Sequence, residues 1–160
     1  MLIDVSEMTQ RAMFDLVTVG HFALDTILSP SIIRPRTTLG GPPTYVSVAA
    51  AKLGARVSVV SKVGVDFPSK FMRWLERSDV DLSGLRRVSG ASCTRFVLEY
   101  RNWSRRLKLE ARAPSILPSD VSDSLRARII HVAPIANEVS SLTVLRLCRS
   151  AEVMSLDPQW

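Results

Sequence analysis

Apolar positions along the chain keep two rhythms, and the places where one gives way to the other divide it into parts. "DLVTVG", Asp15 to Gly20, is a short apolar run closed by glycine, the pattern of a strand buried on both faces of a parallel sheet. The next stretch, "HFALDTILSPSIIRPRTTLGG", holds two short β-prone runs split by Ser29 and Pro30, which predicts a hairpin outside that sheet. From Pro43 to Leu53 apolar or small residues recur at Val46, Ala49, Ala50 and Leu53, a helical spacing, with Gly54 where a helix C-terminal glycine belongs. "RVSVVSKVG" reads as a second buried strand. A helix is predicted from about Pro68 to Arg77, with Phe71, Leu75 and Trp74 facing inward and "SDVDLSGL" beyond its end.

The period then changes to two. "TRFVLEYRNWSRRLKLEAR" sets Phe96, Leu98 and Tyr100 against Arg95, Glu99 and Arg101, and Leu107, Leu109 and Ala111 against Arg106, Lys108 and Glu110. This predicts a two-faced hairpin turning near Asn102 to Ser104. The strand and helix alternation returns with a helix around Ser119 to Leu125, a strand "RIIHVAP", a helix around Glu138 to Arg149 and a strand "EVMSLDP". The whole reads as an α/β protein with parallel strands, interrupted twice by β segments of another character.

Composition narrows the class. The chain has 160 residues with 46% hydrophobic content, suited to one domain of ordinary size. Asp4, Glu7 and Arg11 interrupt any apolar run at the start, and no stretch reaches the roughly 18 apolar residues of a membrane span, so we expect a soluble cytoplasmic protein with no membrane partner. Cys93 and Cys148 are far apart in no metal-ligand spacing, which argues against a disulfide framework or a metal site and reads as two buried or half-buried thiols. The net charge of +6 is local: Arg86 to Arg112 holds eight basic and two acidic residues, and the remainder is balanced. Arg101, Trp103, Arg105, Arg106 and Lys108 interleave cations with an aromatic, as single-strand nucleic-acid binders do; a solvated charged turn is the plainer alternative.

Candidate chemistry is sparse. All seven glycines lie at or before Gly90, and neither the dinucleotide fingerprint nor the P-loop pattern occurs. Gly40 and Gly41 precede a helix whose N-terminus can offer N–H donors to a polar ligand, or they make only a tight turn. Asp25 follows the first strand's C-terminal end, where open α/β sheets bind ligands; its carboxylate either accepts ligand hydroxyls or is solvated. Asp66 can cap the helix that follows it. His21 and His131, at strand ends, form no triad pattern and read as packing residues, so no catalytic residue is assigned.

Taken together, the glycine pair, the helix, Gly54, the strand and Val63-Gly64-x-Asp66 resemble the N-terminal signature of the ribokinase-like carbohydrate kinases, the phosphofructokinase B family. The resemblance implies an incomplete Rossmann-like α/β/α sandwich with a small β lid, the lid segments being Ala23 to Thr38 and Ser92 to Ala111. It implies that Asp25, Gly40, Gly41 and Tyr45 bind the hydroxyls of a sugar, sugar phosphate or nucleoside, and that Arg101, Arg105, Arg106 and Lys108 serve a lid over an anionic acceptor. Tyr45 stands where the family's Gly-Gly-x-x-x-Asn pattern has asparagine.

In that family ATP and Mg²⁺ serve the second half, which carries the Asp-Thr-x-Gly-Ala-Gly-Asp motif; this chain stops at "SLDPQW" without it. We therefore expect the acceptor-binding half of an ATP-dependent sugar or nucleoside kinase, truncated and inactive alone, binding neither ATP nor Mg²⁺ by itself. A homodimer through the lid would follow the family. A non-catalytic ligand-binding or interaction module is the alternative, with nucleic-acid binding through the basic hairpin the weaker one.

Overall fold

The structure, a computed structural model, describes residues 13–159; Asp4, Glu7, Arg11 and Trp160 lie outside them. In chain order the elements are β1 (Phe14–Val19), β2 (Ala23–Leu28), β3 (Arg36–Gly40), α1 (Pro42–Lys52), β4 (Val57–Gly64), α2 (Ser69–Glu76), β5 (Val80–Asp81), β6 (Leu85–Val88), β7 (Thr94–Arg101), β8 (Ser104–Ala111), a 3-10 turn (Pro118–Asp120), β9 (Ala127–Val132), α3 (Ser141–Leu147) and β10 (Ala151–Leu156). They form two sheets.

The core sheet is parallel, in the order β10-β9-β1-β4-β5, with β6 pairing the second half of β4. Strand alternation sorts its side chains. Val17, Val19, Val60, Ile130 and Val132 pack with Leu147 of α3 on one face. Val59 and Val63 pack with Val48 of α1 and Leu75 of α2 on the other. Each fully buried aliphatic side chain contributes about 1.5–3 kcal/mol. The lid sheet runs β3-β2-β7-β8 and meets the core sheet through the connections after Val19, Gly40, Val88 and Ala111.

Helix α1 enters at Gly41 and ends in a Schellman motif: Gly54 has φ +87°, its N–H reaches Ala51 O at 2.9 Å, and the Ala55 N–H reaches Ala50 O at 3.1 Å. Its buried side differs from the expected stripe. Pro43, Thr44, Ser47 and Val48 face inward, whereas Ala49 and Leu53 are exposed. Small polar residues fit the tight approach to the sheet, and Thr44 satisfies its hydroxyl on Gly40 O at 2.6 Å, so hydropathy misplaces the inner face.

Four further expectations are corrected. Trp74 of α2 is exposed, while Leu75 is fully buried and Phe71 half-buried. The helix expected at Ser119 to Leu125 is only the 3-10 turn, because the Asp120 carboxylate turns back to the Leu117 N–H (2.7 Å) and pairs with Lys62 (2.6 Å). The helix expected from Glu138 starts at Ser141, capped by the Ser140 hydroxyl, since the Glu138 side chain is buried among backbone donors. Cys148 is exposed, whereas Cys93 is buried. The short strand β5 lies within "SDVDLSGL", for which no element is expected, and β6 begins at the last residue of that stretch.

The β7–β8 hairpin turns at Asn102 (φ +45°) and Trp103 (φ +67°), two left-handed residues in succession as a type I′ turn requires. Asparagine suits the first position, glycine the second. A fully exposed tryptophan gains no burial there. Trp103→Gly is therefore expected to stabilise the chain by about 1 kcal/mol, read as a higher urea midpoint. A lower midpoint would refute this account of the turn.

Candidate functional site

A cavity of about 430 Å³ opens between the lid, the start of α1 and the connections after β9 and β10. It lies at the C-terminal ends of the parallel strands, where α/β sheets bind ligands. Asp25 and Gly41 line it, as do Tyr45 and Arg105. Its apolar walls are Phe96, Leu98 and Leu107 on the lid and Val46 and Ile135 on the core side.

Asp25 points inward from β2, and its Oδ1 is buried with no hydrogen-bond partner. Burial alone raises its pKa from 3.8 to about 6. Gly40 does not line the cavity. It stands behind Asp25, where any Cβ would overlap the carboxylate, so its missing side chain makes room for Asp25. Gly41 has φ +83°, and a Cβ there would collide with the His21 carbonyl oxygen. Pro42 and Pro43 follow at the first helical positions and have no N–H, and the Thr44 N–H is taken by the Gly41 carbonyl at 3.0 Å, so the donor set expected of a helix N-terminus is reduced here to the Gly41 N–H. Tyr45 is exposed at the rim; burial, then the charges of Asp25 and Tyr100, raise its pKa.

Register explains which cations reach the cavity. Asp25 pairs with Phe96, Leu98 with Leu107 and Tyr100 with Arg105, so these side chains share one lid face. Arg101, Arg106 and Lys108 fall on the other face with Val97 and Glu99. Arg101 pairs with Glu99 at 2.7 Å and Lys108 with Glu110 at 3.8 Å. Elsewhere in the basic segment, Arg86 meets Asp120, Arg95 meets Asp66, Arg87 binds the carbonyls of Val65 and Phe67, and Arg112 those of Ala136 and Asn137. The Arg105 guanidinium has no ion pair or hydrogen bond among the described residues.

Asp66 does not cap α2, whose N-cap is Pro68. Instead its oxygens take the Cys93 N–H (2.8 Å) and Arg95 (2.6 Å), which ties the start of β7 to the end of β4. Although burial opposes ionisation, those hydrogen bonds bring its pKa down to about 2. Burial, reinforced by Asp66, pushes the Cys93 thiol up to about 12, which leaves it inert at neutral pH. His21 is fully buried with both ring nitrogens partnered, and burial lowers its pKa. His131 contacts the Ser155 hydroxyl at 3.1 Å on the sheet.

Several cavity residues escape a reading by motif. Phe96, Leu98 and Leu107 carry a signal only in the hairpin's alternation, which sets them on one face. Ile135 and Gln159 carry none, being brought in by the connections after β9 and β10. Among the described residues no group of three or more His, Cys, Asp or Glu could hold a metal, and no helix is long and apolar enough to cross a membrane. With Asp25 the one acid lining the cavity, the residues present do not fit a metal site.

Residues 13–146 match the pfkB family of carbohydrate kinases. Over 151 residues the chain is 29% identical to a cytidine kinase of Thermococcus kodakarensis, covering 92% of this chain and 53% of that protein. Over 96 residues it is 36% identical to a nucleoside kinase of Methanothermobacter thermautotrophicus, covering 52% of this chain and 31% of that one. The chain thus spans about half the length of these curated relatives, or less.

Among solved structures, it superposes on the nucleoside kinase of Methanocaldococcus jannaschii, an archaeal member of the ribokinase family, with TM-score 0.73 at 20% identity, over 90% of this chain and 52% of that one. A pyrophosphate-dependent kinase in the ribokinase family, complexed with a pyrophosphate analog and myo-inositol, gives 0.74 at 19% identity over 88% and 48%. An uncharacterized sugar kinase from Pyrococcus horikoshii in complex with ATP gives 0.63 at 18% over 74% and 42%. The fold is accordingly the Rossmann-like ribokinase fold, incomplete, with its β lid.

Proposed function

Since the chain belongs to the pfkB family of carbohydrate kinases, we propose that its cavity receives the hydroxyl-bearing acceptor of a phosphoryl transfer and that this acceptor is a nucleoside. The observation that carries the reading is Asp25: a carboxylate with a buried, unpartnered oxygen, set in a cavity lined mostly by apolar residues, with Tyr45, Arg105 and Gln159. Such an oxygen is satisfied by a donor the ligand brings, and a pair of sugar hydroxyls supplies it. Phe96, Leu98 and Leu107 offer an apolar surface for a base, and Arg105, which has no partner among the described residues, can donate to a base carbonyl. A cytidine kinase and a nucleoside kinase among the relatives support the choice of nucleoside over free sugar or sugar phosphate.

In this reading the chain's own residues position and do not transfer. Asp25 orients the acceptor hydroxyls, Gly41 lets the backbone come close, and the apolar walls exclude water from the bound face. ATP would be the phosphoryl donor of the intact enzyme, with Mg²⁺ beside it. No residue here is assigned to hold either, and residues 1–160 alone transfer no phosphate. Tyr100, Leu107 and Leu109 leave part of the lid face exposed, and a second lid would cover it in a homodimer.

Isothermal titration calorimetry of the chain with cytidine, ribose and ribose 5-phosphate tests the reading. Saturable binding of cytidine is expected, weakened about 10- to 100-fold in Arg105→Ala by loss of a charge-assisted hydrogen bond. Binding of ribose 5-phosphate in preference to cytidine would overturn the nucleoside assignment. Acceptor-dependent ADP release from ATP and Mg²⁺ by the chain alone would overturn the positioning-only role.

A further inference from the structure

Glu138 follows β9 and is fully buried, yet it does not line the cavity. Its oxygens accept the N–H groups of His21 (3.0 Å), Ile135 (3.1 and 3.2 Å) and Ala136 (2.7 Å). Each of these partners is a donor, and an ionised carboxylate only accepts, so the match is complete without a proton on Glu138. An amide in its place would set an NH₂ against backbone N–H groups.

His21 carries the second part of the cluster. Its Nε2 lies 3.1 Å from Pro114 O and its Nδ1 2.8 Å from Thr94 Oγ1. A carbonyl oxygen can only accept, so Nε2 bears a proton; burial disfavours a second proton on the ring, so Nδ1 accepts from the Thr94 hydroxyl. The Thr94 oxygen in turn accepts the Ala113 N–H at 3.1 Å. The ring is thereby assigned as neutral, with every polar atom of the chain of bonds used.

These residues sit where the chain passes between the core sheet and the lid. His21 joins β1 to β2, Thr94 opens β7, and Ala113 and Pro114 follow β8. We propose that His21 and Glu138 form a polar clamp that sets the angle of the lid on the core sheet, which makes Glu138 a positioning residue for a cavity it does not touch. Through the His21 N–H it holds the root of β2, which carries Asp25. Through Ile135 and Ala136 it holds the wall opposite. A shift at this root moves Asp25 and Arg105 relative to Ile135, because the lid is one hydrogen-bonded sheet and turns as a unit.

The clamp stands independently of the ligand; its effect on affinity rests on the nucleoside reading. Spin labels on the exposed Cys148 and on Arg106→Cys, which lies on the lid face away from the cavity, report the angle of lid to core by pulsed dipolar spectroscopy of the full chain. Glu138→Gln and Thr94→Val are each expected to broaden the distance distribution while thermal unfolding stays cooperative, and to weaken cytidine about tenfold or more. Glu138→Asp, which keeps the carboxylate, is expected to recover part of both. Thr94→Val, a hydroxyl exchanged for a methyl, carries the test if Glu138→Gln does not fold. Distributions as narrow as wild type in the folded variants overturn the clamp. Broadened distributions in a chain whose wild type binds no cytidine uphold the clamp and reject the nucleoside reading.

Discussion

Gly41→Ala is expected to destabilise the chain by at least about 2 kcal/mol, because two penalties coincide at one residue. The backbone there has φ +83°, and the added Cβ would run into the His21 carbonyl oxygen, which cannot swing away as a side-chain tip could. Gly54 supplies the control. It has nearly the same backbone conformation, φ +87°, with nothing within 4 Å of a Cβ. Gly54→Ala should therefore cost only the conformational part, about 1 kcal/mol. Urea unfolding of both variants measures the difference. If Gly41→Ala costs no more than Gly54→Ala, the close packing of Gly41 on His21 is not as described.

Asp25→Asn is expected to separate stability from binding. The Asp25 pKa is 3.8 in its ordinary state and about 6 in the fold, raised by burial. Between those values the folded chain keeps a proton that the unfolded chain has lost, so this group's contribution falls as pH rises through the window. It is fully present below 3.8 and gone above about 6. Asparagine keeps the shape and removes the charge, so the variant should be more stable than wild type at pH 8 and equal to it near pH 3. The pKa difference would correspond to ~3 kcal/mol for a fully enclosed group. Asp25 opens to the cavity, where solvent screens it, and we expect ~1 kcal/mol. Binding moves the other way: exchanging the charged acceptor for an amide should weaken cytidine about 10- to 100-fold at pH 8. An unchanged dissociation constant would remove Asp25 from the site, and a less stable variant at pH 8 would contradict its unpartnered burial.

The local periodicities are strong enough to locate β1, α1, β4 and the β7–β8 hairpin to within a residue or two, because each is set by neighbours along the chain. The signature of Gly40, Gly41, Gly54 and Val63-Gly64-x-Asp66 is equally local, and it led to the family that residues 13–146 match. The two β interruptions were legible as β segments apart from the core sheet, the first by two β-prone runs around Ser29 and Pro30 and the second by its period of two, while their role as a lid came from the family resemblance.

Other features depended on partners far away in sequence. The cations of the basic hairpin look alike along the chain, and only the pairing of Tyr100 with Arg105 places one of them over the cavity while Arg101, Arg106 and Lys108 turn away. The Ser119 to Leu125 segment has helical spacing, but the ion pair of Asp120 with Lys62, on β4, holds it to a single 3-10 turn. Thr44 and Ser47 face the core against their hydropathy because the approach of α1 to the sheet admits only small side chains. Glu138 is the extreme case. It lies 117 residues from His21, and nothing in "ANEVS" distinguishes a solvated acid from one that binds backbone N–H groups at the root of the lid. Sequence alone located β1, α1, β4, the β7–β8 hairpin and the family, since those follow from short-range pattern. Tertiary structure alone decided which polar groups are buried, and against which donors, because desolvation and hydrogen bonding depend on what the folded chain brings alongside.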